Sequence, residues 1–397
     1  MSDPFARLPL WRRVVPRLGW LVLLLVLLAL PLYVGQFWEQ LGLLVFAAAI
    51  GAIGLNLITG STGQLSLAHA FFLAVGAYGY AYFAGSTVGI GGGITVHGLS
   101  LPPFAAMVLA VLLAGFAGLL FSPISSRLRG IYLGLASLAL VFLGQHILQN
   151  AETVTGGFYG RYAQPFSLFG FSFTDANPPL TVLNVPFGQL ERLWFLGLVL
   201  LILAYLFAQN LLRGRPGRAL QTIRDSEVAA AVMGVNVRRY KAAAFVVSSM
   251  YAGLGGALIA LAFQRPVPEY FGLQLSVTYL AMIVIGGLGS VRGAVAGAAF
   301  VTALPLVLTQ YSSSLAFLAQ PGQSGIGPGD FSNYVYGGAI ILVLLLQPRG
   351  LAGLVNAVRE RFARRPVTAP SPPMQPQQFD PTGSSSSVIV NKEARQV

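Results

Sequence analysis

Long apolar runs alternate with short polar segments along almost the whole chain. Between Glu39 and Arg127 there is no Asp, Glu, Lys or Arg over 87 residues, whereas about a quarter of the residues in an ordinary soluble domain are charged. Ten of the runs approach the roughly 20 apolar residues that a helix needs to cross a bilayer. The predicted spans cover residues 18–37, 41–59, 65–85, 101–121, 131–149, 193–212, 242–263, 273–290, 293–311 and 334–348.

The apolar runs indicate helices rather than strands. They show no alternation of period two, and irregular backbone in lipid would leave its N–H and C=O groups without partners. We therefore predict an all-α polytopic membrane protein with about ten transmembrane helices. The basic stretch before the first run, with Arg7, Arg12, Arg13 and Arg17, also suits a signal peptide. However, the run is long and no clear cleavage site follows it, so we expect the first helix to be retained.

The distribution of charge predicts the orientation of these helices. The formal net charge is +12. If the N-terminus is cytoplasmic and all ten segments cross, 21 of the 24 Lys and Arg residues lie on the cytoplasmic side, and only Arg161, Arg192 and Arg265 lie outside. Cytoplasmic membrane proteins show this positive-inside bias, and the loss of one helix would invert it downstream. We predict cytoplasmic N- and C-termini, and the basic charge indicates topology and anionic lipid contact rather than nucleic acid.

Composition divides the chain into three parts. Residues 1–17 are a basic cytoplasmic arm, residues 18–355 are the transmembrane domain, and residues 366–397, rich in Pro, Gln and Ser, are predicted to be a disordered cytoplasmic tail. Within the transmembrane domain, the outer loop 150–192 is expected to pack as a cap over the outer mouth. The cytoplasmic loop 213–241 is dense in charge.

The chain lacks the residues of most catalytic and energy-coupling sites. A phosphate-binding loop needs a Lys after Gly, but Lys241 and Lys392 follow Tyr240 and Asn391. There is no Cys, and the three His have no i, i+4 spacing, so we predict no catalytic residue, no metal site and no cofactor. Proton coupling is disfavoured, because no Asp, Glu, Lys, Arg or His occurs in the spans 193–212, 242–263, 273–290 and 293–311.

A short helix is predicted inside the cytoplasmic loop. Asp225 or Ser226 can cap its N-terminus. Glu227 then lies in the first turn, where the helix dipole favours an anion, and Gly234 can end the helix at C′. Two i, i+4 pairs give it an apolar face, Val228 with Val232 and Ala229 with Met233. Such a helix suits a groove on another protein, and an ordinary interfacial helix between two spans would have the same pattern.

A second group of small and polar positions lies near the cytoplasmic ends of the second and third spans. These positions are Asn56, Gly60, Gly63, Gln64, Ser66 and His69. The stretch from Gly60 to Ser66 could break a helix and offer backbone N–H and C=O groups to a zwitterion, or it could form a tight turn in which Gly adopts positive φ. Asn56 and His69 suit hydrogen bonds between helices, with ligand binding as the alternative.

Five sequence blocks together resemble one known family. They are Gly54–His69, Pro123–Tyr132, Thr155–Gly157, Met282–Gly297 and Gln347–Gly350. Over residues 40–355 the chain resembles the permease family of bacterial branched-chain amino-acid ABC transporters, and within it the M-type subunits. The cytoplasmic loop resembles the family's ATPase-docking motif of the EAA type, with Ala229, Ala230 and Gly234 in matching places. The glutamate departs from the motif, since Glu227 stands one position earlier than in the family.

The resemblance implies a transport subunit rather than an enzyme. It implies a permease of the bacterial cytoplasmic (inner) membrane that forms half of the translocation path of an ATP-driven ABC importer. The implied partners are an H-type second permease, two cytoplasmic ABC ATPase subunits, an extracytoplasmic substrate-binding protein and the lipid bilayer. ATP hydrolysis is expected in the separate ATPase subunits.

The implied substrates are branched-chain or related amino acids. Close relatives import urea or short amides, and the spans offer polar groups but no charged partner for an amino-acid carboxylate, so that substrate class stays open. A third hypothesis is a facilitator or channel that needs no ATPase, although a channel has no need of a docking helix.

The chain thus has three groups of candidate site residues. ATPase coupling is expected at Arg224, Asp225, Ser226, Glu227, Ala229, Ala230, Met233 and Gly234. The substrate path is expected to include Asn56, Gly60, Gly63, Gln64 and Ser66. Contact with the binding protein is expected at Glu152, Thr155, Gly156 and Gly157, for which a plain loop is the alternative. We also expect Ala230→Asp to uncouple transport without preventing membrane insertion.

Overall fold

The structure is a computed structural model of the chain. It describes residues 21–89, 95–128, 130–168, 170–175, 181–182, 185–311, 325, 327–346 and 353. All of these residues lie in one compact unit, residues 1–356. The predicted basic arm (1–17), the predicted disordered tail (366–397) and the start of the first predicted span lie outside the described residues.

The described part of the chain is mostly α-helical. Its α-helices are α1 Leu21–Leu32, α2 Gln36–Thr62, α3 His69–Ala84, α4 Pro103–Arg127, α5 Ile131–Asn150, α6 Glu152–Thr155, α7 Gln189–Arg213, α8 Arg215–Asp225, α9 Glu227–Val232, α10 Val237–Phe263, α11 Leu273–Gly286, α12 Val291–Gln310 and α13 Pro328–Leu346. The last residues of α1 form a 3₁₀ turn, and further 3₁₀ turns occur at Gly157–Tyr159 and Pro268–Phe271.

Each of the ten predicted apolar runs contains a described helix. Among the described residues, six helices are long and apolar enough to cross a membrane: α2, α4, α5, α7, α10 and α12. Shorter apolar helices occur at α1 and α11. The prediction of a helical, multi-pass membrane protein is therefore confirmed, whereas the number of ten crossings and the orientation of the termini stay predictions.

Within the described residues, short strands form three antiparallel pairs, in the loops between α3 and α4 and between α6 and α7. The strands are β1 Val88–Gly89, β2 Thr95–Val96, β3 Ser167–Leu168, β4 Phe171–Ser172, β5 Thr181–Val182 and β6 Val185–Pro186. β1 pairs with β2, β3 with β4 and β5 with β6. In register, Val88 lies opposite Val96 and Ser167 lies opposite Ser172. Each described strand has only two residues, so these strand pairs are minor features of the loops in an all-α fold.

The core of the bundle is the close packing of α2, α3, α4 and α10. Gly76 on α3 meets Gly253 on α10, and a Cβ atom on Gly76 would overlap the Gly253 backbone. A Cβ atom on Gly256 would overlap the carbonyl of Leu73 in the same way. Small residues allow membrane helices to approach this closely, so that dispersion contacts stabilise the pair. Among the candidate spans, α2 and α10 are the most deeply buried.

The bundle has two different ends. α2 and α10 each contain 27 residues, which at 1.5 Å per residue makes each about 40 Å long. The start of α2 and the end of α10 lie near the start of α7, around Gln36, Gln189 and Gln264. The end of α2 and the start of α10 contact α8 and α9. We call these the cap end and the α8–α9 end.

The third predicted span begins later than its apolar pattern indicates. α2 continues to Thr62, Gly63 follows with φ of 70°, and α3 begins at His69. The prediction of a span over 65–85 is therefore wrong for its first four residues, which are non-helical. Glycine adopts positive φ without a steric penalty, and a residue in this conformation ends a helix.

Candidate functional site

The predicted short cytoplasmic helix is α9, and an additional helix, α8, precedes it across a break at Ser226. α8 ends at Asp225, and α9 begins at Glu227. The Ser226 hydroxyl oxygen accepts a hydrogen bond from the Ala229 N–H at 3.2 Å. Gly234 follows α9 with φ of 81°. Of the two predicted N-caps, the structure uses Ser226, and Gly234 has the left-handed conformation that the sequence predicts for it.

α8 lies against the bundle through one face. Gly217, Leu220 and Ile223 recur every three residues and are buried, while Arg218 is exposed. Pro216 lies in the first turn, where it removes an N–H group that would have no helical partner. Helix α8 was not predicted, and this spacing of buried residues is the sequence signal that indicates it.

α9 presents an apolar face to the outside of the molecule. Val228, Val232 and Met233 are 73%, 83% and 65% exposed, whereas Ala230 is fully buried. A group of exposed apolar side chains outside a membrane span is typical of an interaction surface. Ala230 lacks the exposure needed to contact a partner, so Ala230→Asp would perturb the packing of α9 itself and is a poor test of docking.

An ion pair fixes α9 to the first turns of α10. Glu227 Oε1 accepts a hydrogen bond from Lys241 Nζ, and the Lys241 side chain is almost completely buried. Taking an ammonium group out of water is costly unless a carboxylate compensates for its lost hydration. The displaced glutamate of the cytoplasmic loop therefore has a structural partner, which lies 14 residues away in the sequence.

Glu227→Ala is expected to destabilise the α8–α9 segment, because it leaves the buried Lys241 ammonium without this carboxylate. Since Glu227 is partly exposed, we expect a loss of about 2 kcal/mol in the free energy of unfolding, below the range for a fully buried pair. Thermal unfolding of the purified chain in detergent measures it. The double variant Glu227→Gln/Lys241→Met removes both charges and should be the more stable of the two; equal stability of the two variants would contradict the prediction.

Arg224, from the predicted coupling group, contacts Gly60, from the predicted substrate path, and Asn56 of the same path contacts Gly289 beside them. Arg224 Nη1 donates a hydrogen bond to the Gly60 carbonyl at 2.6 Å. Asn56 Oδ1 accepts one from the Gly289 N–H at 2.8 Å, so Asn56 bonds to the connection between α11 and α12 rather than to a neighbouring helix. A Cβ atom on Gly60 would lie 2.9 Å from the Gly289 Cα atom, so the two backbones touch. We call Asn56, Gly60, Arg224 and Gly289 the Arg224 junction.

The non-helical segment 63–68 is held by side chains of other helices. The Leu67 N–H donates to Ser137 Oγ on α5 at 2.9 Å. Gln64 Nε2 donates to the Ser125 carbonyl on α4 at 3.2 Å. Ser66 Oγ is buried and accepts from the backbone N–H two residues later at 3.4 Å. These contacts hold the segment in its non-helical conformation, and both interpretations of it, a tight turn and a break that offers backbone groups to a zwitterion, stay predictions.

At the cap end, the Thr-Gly-Gly sequence forms a turn around a buried threonine. Thr155 Oγ1 donates to the Leu148 carbonyl at 2.7 Å and accepts from the Gly157 N–H at 3.1 Å. Gly156 and Gly157 have φ of 78° and 56°. Glu152 is exposed at the start of α6. These hydrogen bonds hold the turn together, and the exposed aromatic side chains that follow it are Phe158, Tyr159 and Tyr162.

The three arginines that are predicted to lie outside donate hydrogen bonds to backbone carbonyls at the cap end. Arg161 Nη1 donates to two carbonyls at 2.5 and 2.8 Å. Arg192 Nη1 donates to two more, both at 2.7 Å, and Arg265 Nε donates to the Tyr159 carbonyl at 2.7 Å. Burial lowers the pKa of the Arg161 guanidinium below its ordinary value. Each of the three positive charges at this end therefore has backbone carbonyl acceptors.

A cavity of about 670 Å³ opens at the cap end. Its lining includes three carboxylates that are far apart in the sequence, Glu39, Asp175 and Glu191. Asp175 Oδ1 accepts a hydrogen bond from the Gln189 N–H at 2.7 Å, at the start of α7. Among the residues that the structure describes, no three His, Cys, Asp or Glu side chains are placed to hold a metal ion.

Comparisons with known proteins give one consistent result. The family described as "Branched-chain amino acid transport system / permease component" matches residues 39–344. The high-affinity branched-chain amino acid transport system permease protein LivM of Escherichia coli K12 is 31% identical over 345 residues, which cover 83% of this chain and 74% of that protein.

Two further relatives extend the comparison. A probable branched-chain amino acid transport permease protein LivM of Methanocaldococcus jannaschii is 25% identical over 251 residues, 62% of this chain and 67% of that protein. The permease protein LivH of Salmonella typhimurium is 23% identical over 310 residues, 77% of this chain and 91% of that protein. No solved structure matches the chain significantly.

Proposed function

This chain belongs to the family of permease components of branched-chain amino acid transport systems, and from that premise we propose that it is the transmembrane permease subunit of an ATP-driven importer. It forms half of the translocation path for branched-chain or related amino acids, which an extracytoplasmic binding protein delivers. The observation that carries the proposal is the exposed apolar face of α9, at Val228, Val232 and Met233. Such a face outside the spans suits a groove on a cytoplasmic ATPase subunit.

The chemistry of transport is divided among the subunits. Two cytoplasmic ATPase subunits bind and hydrolyse ATP, and this chain is not itself an enzyme. When the ATPases close on ATP, they displace α9, and the displacement reaches the spans through α8 and α10. An H-type permease encloses the other half of the path. The binding protein selects the substrate, which suits spans that carry no charged partner for a carboxylate.

The proposed topology has ten crossings, with both termini in the cytoplasm of a bacterial cell and the chain in its inner membrane. Support comes from the contrast between the two ends of the bundle. The α8–α9 end contains the basic residues Arg213, Arg215, Arg218, Arg224, Arg238 and Arg239, as the positive-inside bias requires. The cap end then faces outward, and its three arginines donate hydrogen bonds to loop carbonyls.

The predicted substrate-path residues and binding-protein contacts can also be assigned to the two ends of the bundle. We place Asn56, Gly60, Gly63, Gln64 and Ser66 at the cytoplasmic mouth of the path, where they hold the end of α2 and the start of α3. The binding protein contacts the cap around Glu152 and the turn Thr155, Gly156 and Gly157. Its contacts are made through the exposed aromatic residues that this turn supports, Phe158, Tyr159 and Tyr162.

Affinity purification from the native membrane, followed by mass spectrometry, tests this function. We expect two ATPase subunits and a second permease to be recovered with the chain. Reconstitution of that complex in proteoliposomes with its binding protein should then give ATP-dependent uptake of leucine, and uptake of urea in place of leucine would change the substrate class. Recovery of the chain alone, together with conduction in liposomes that lack ATP, would replace the importer by a facilitator.

A further inference from the structure

Two contacts connect the α8–α9 segment to the most deeply buried spans. Arg224, in the last turn of α8, bonds to Gly60 of α2. Glu227, in the first turn of α9, bonds to Lys241 of α10. The two side chains start three residues apart, on either side of the break at Ser226. A displacement of α9 would therefore act on α2 and α10 through separate attachments.

Arg224 donates its hydrogen bond to the end of α2, where the backbone carbonyls lack helical donors. Gly60 lies in the last turn of α2, which ends at Thr62. The last four carbonyls of a helix have no helical partner and carry the negative end of the helix dipole. A guanidinium group that donates to such a carbonyl at 2.6 Å makes a charge-assisted hydrogen bond, which is stronger and more directional than a neutral one.

The same turn of α2 is also attached to the connection between α11 and α12. Asn56 Oδ1 accepts from the Gly289 N–H at 2.8 Å, and Gly60 is in backbone contact with Gly289. A Cβ atom on Gly289 would lie 3.4 Å from Arg224 Nη1, so the guanidinium lies beside this connection as well. Gly289 has φ of 83°, a conformation that glycine adopts without strain.

We propose that Arg224 is a positioning residue that transmits movement of the α8–α9 segment to the end of α2 and to the α11–α12 connection. The proposal rests on the proposed function, because an ATPase has to move the segment. A directional bond to a carbonyl fixes the distance between α8 and α2, whereas apolar surfaces alone can slide. Movement at α9 is thereby converted into movement of α2 and of the α11–α12 connection together.

The ratio of substrate imported to ATP hydrolysed tests this role. It is measured in proteoliposomes that contain the complete complex with its binding protein. Arg224→Ala is expected to lower the ratio by about tenfold, a typical size for coupling between two sites. Arg224→Lys keeps a charged donor and should recover part of the ratio. Arg218→Ala, which removes an exposed arginine from the same helix, is the matched control and should leave the ratio unchanged.

Spin labels give a second readout that a merely structural role would not change. The chain has no Cys, so Gln221→Cys on α8 and Leu288→Cys beside Gly289, both at exposed positions, introduce two unique sites. Accessible cysteines of the partner subunits are replaced. With Arg224 present, the distance between the labels should stay constant when ATP binds, because the two segments move together. In Arg224→Ala the distance should change on ATP binding.

The possible outcomes separate the two proposals. An unchanged ratio in Arg224→Ala, or loss of the ATPase subunits from that variant, overturns the role of Arg224 in transmission. If Arg224→Ala does not fold, Arg224→Gln, which keeps a shorter neutral donor, is judged by the same ratio and label distance. Absence of ATP-dependent uptake by the unsubstituted complex would instead overturn the proposed function.

Discussion

Val232→Asp is expected to abolish ATP-driven uptake by the assembled transporter while the helix bundle stays folded. Val232 is 83% exposed, so its replacement removes little packing within the chain. An aspartate in the docked apolar face would have to lose its hydration without gaining a partner. Loss of an interfacial anchor costs about 2 kcal/mol or more, which weakens the complex at least roughly 30-fold. Uptake in proteoliposomes and the yield of co-purified ATPase subunits measure the effect.

The control for this prediction is Gln221→Asp, which adds the same charge to the exposed side of α8. It should retain uptake. Ala230→Asp should behave differently from both, because Ala230 is fully buried and a carboxylate there would lower the thermal unfolding midpoint of the chain. Uptake by Val232→Asp at the rate of the unsubstituted complex would show that α9 does not dock through this face.

Gly76→Leu is expected to prevent the chain from reaching its folded state. Gly76 lies where α3 crosses α10, and a Cβ atom there would overlap the backbone of Gly253. A backbone has no alternative rotamer, so the two helices would have to separate and lose contacts along their length. The loss should exceed the 1–3 kcal/mol that is typical of an overpacked core, reaching about 4 kcal/mol. The yield of monodisperse protein in detergent and its thermal unfolding midpoint are the measurements.

Gly337→Leu is the matched control, since Gly337 lies exposed on α13 and a Cβ atom there would have no atom within 4 Å. This variant should be purified in normal yield, because the isolated chain has space for the larger side chain. If both variants lost yield and thermal stability equally, leucine at any helical glycine would be harmful. The close crossing of α3 and α10 would then not be the reason that Gly76→Leu fails to fold.

Features that depend on neighbouring residues could be predicted from the sequence. The Ser226 cap and the left-handed Gly234 follow from residues within about one helical turn, because capping bonds close over three or four positions. A break or turn between Gly60 and Ser66 could be predicted, but the exact start of α3 at His69 could not, because residues 65–68 are as apolar as a span. Their backbone is held outside a helix by groups such as Ser137 Oγ on α5, which lies 70 residues away.

The arginines at the cap end also show which features could be predicted from the sequence and which could not. The predicted crossings place Arg161, Arg192 and Arg265 on the opposite side of the membrane from the other basic residues. This assignment needs only the order of the spans along the sequence. That order does not reveal that these three arginines hold the loops of the cap end by hydrogen bonds to their carbonyls. Such bonds depend on where the loop backbone lies, and the pattern of apolar residues does not specify it.

The sequence by itself determined that this protein is a helical membrane protein, that its basic residues gather at one end of the predicted spans, and that an amphipathic helix lies in the longest basic loop. These properties depend on local composition, since transfer into lipid and helix capping act on short segments. Only the tertiary structure decided that Arg224 meets Gly60 across 164 residues and that Asn56 meets Gly289 across 233. The physical reason is that these contacts need backbones brought within a few ångströms by glycine crossings, and such an approach is a property of packed helices together and of no single segment.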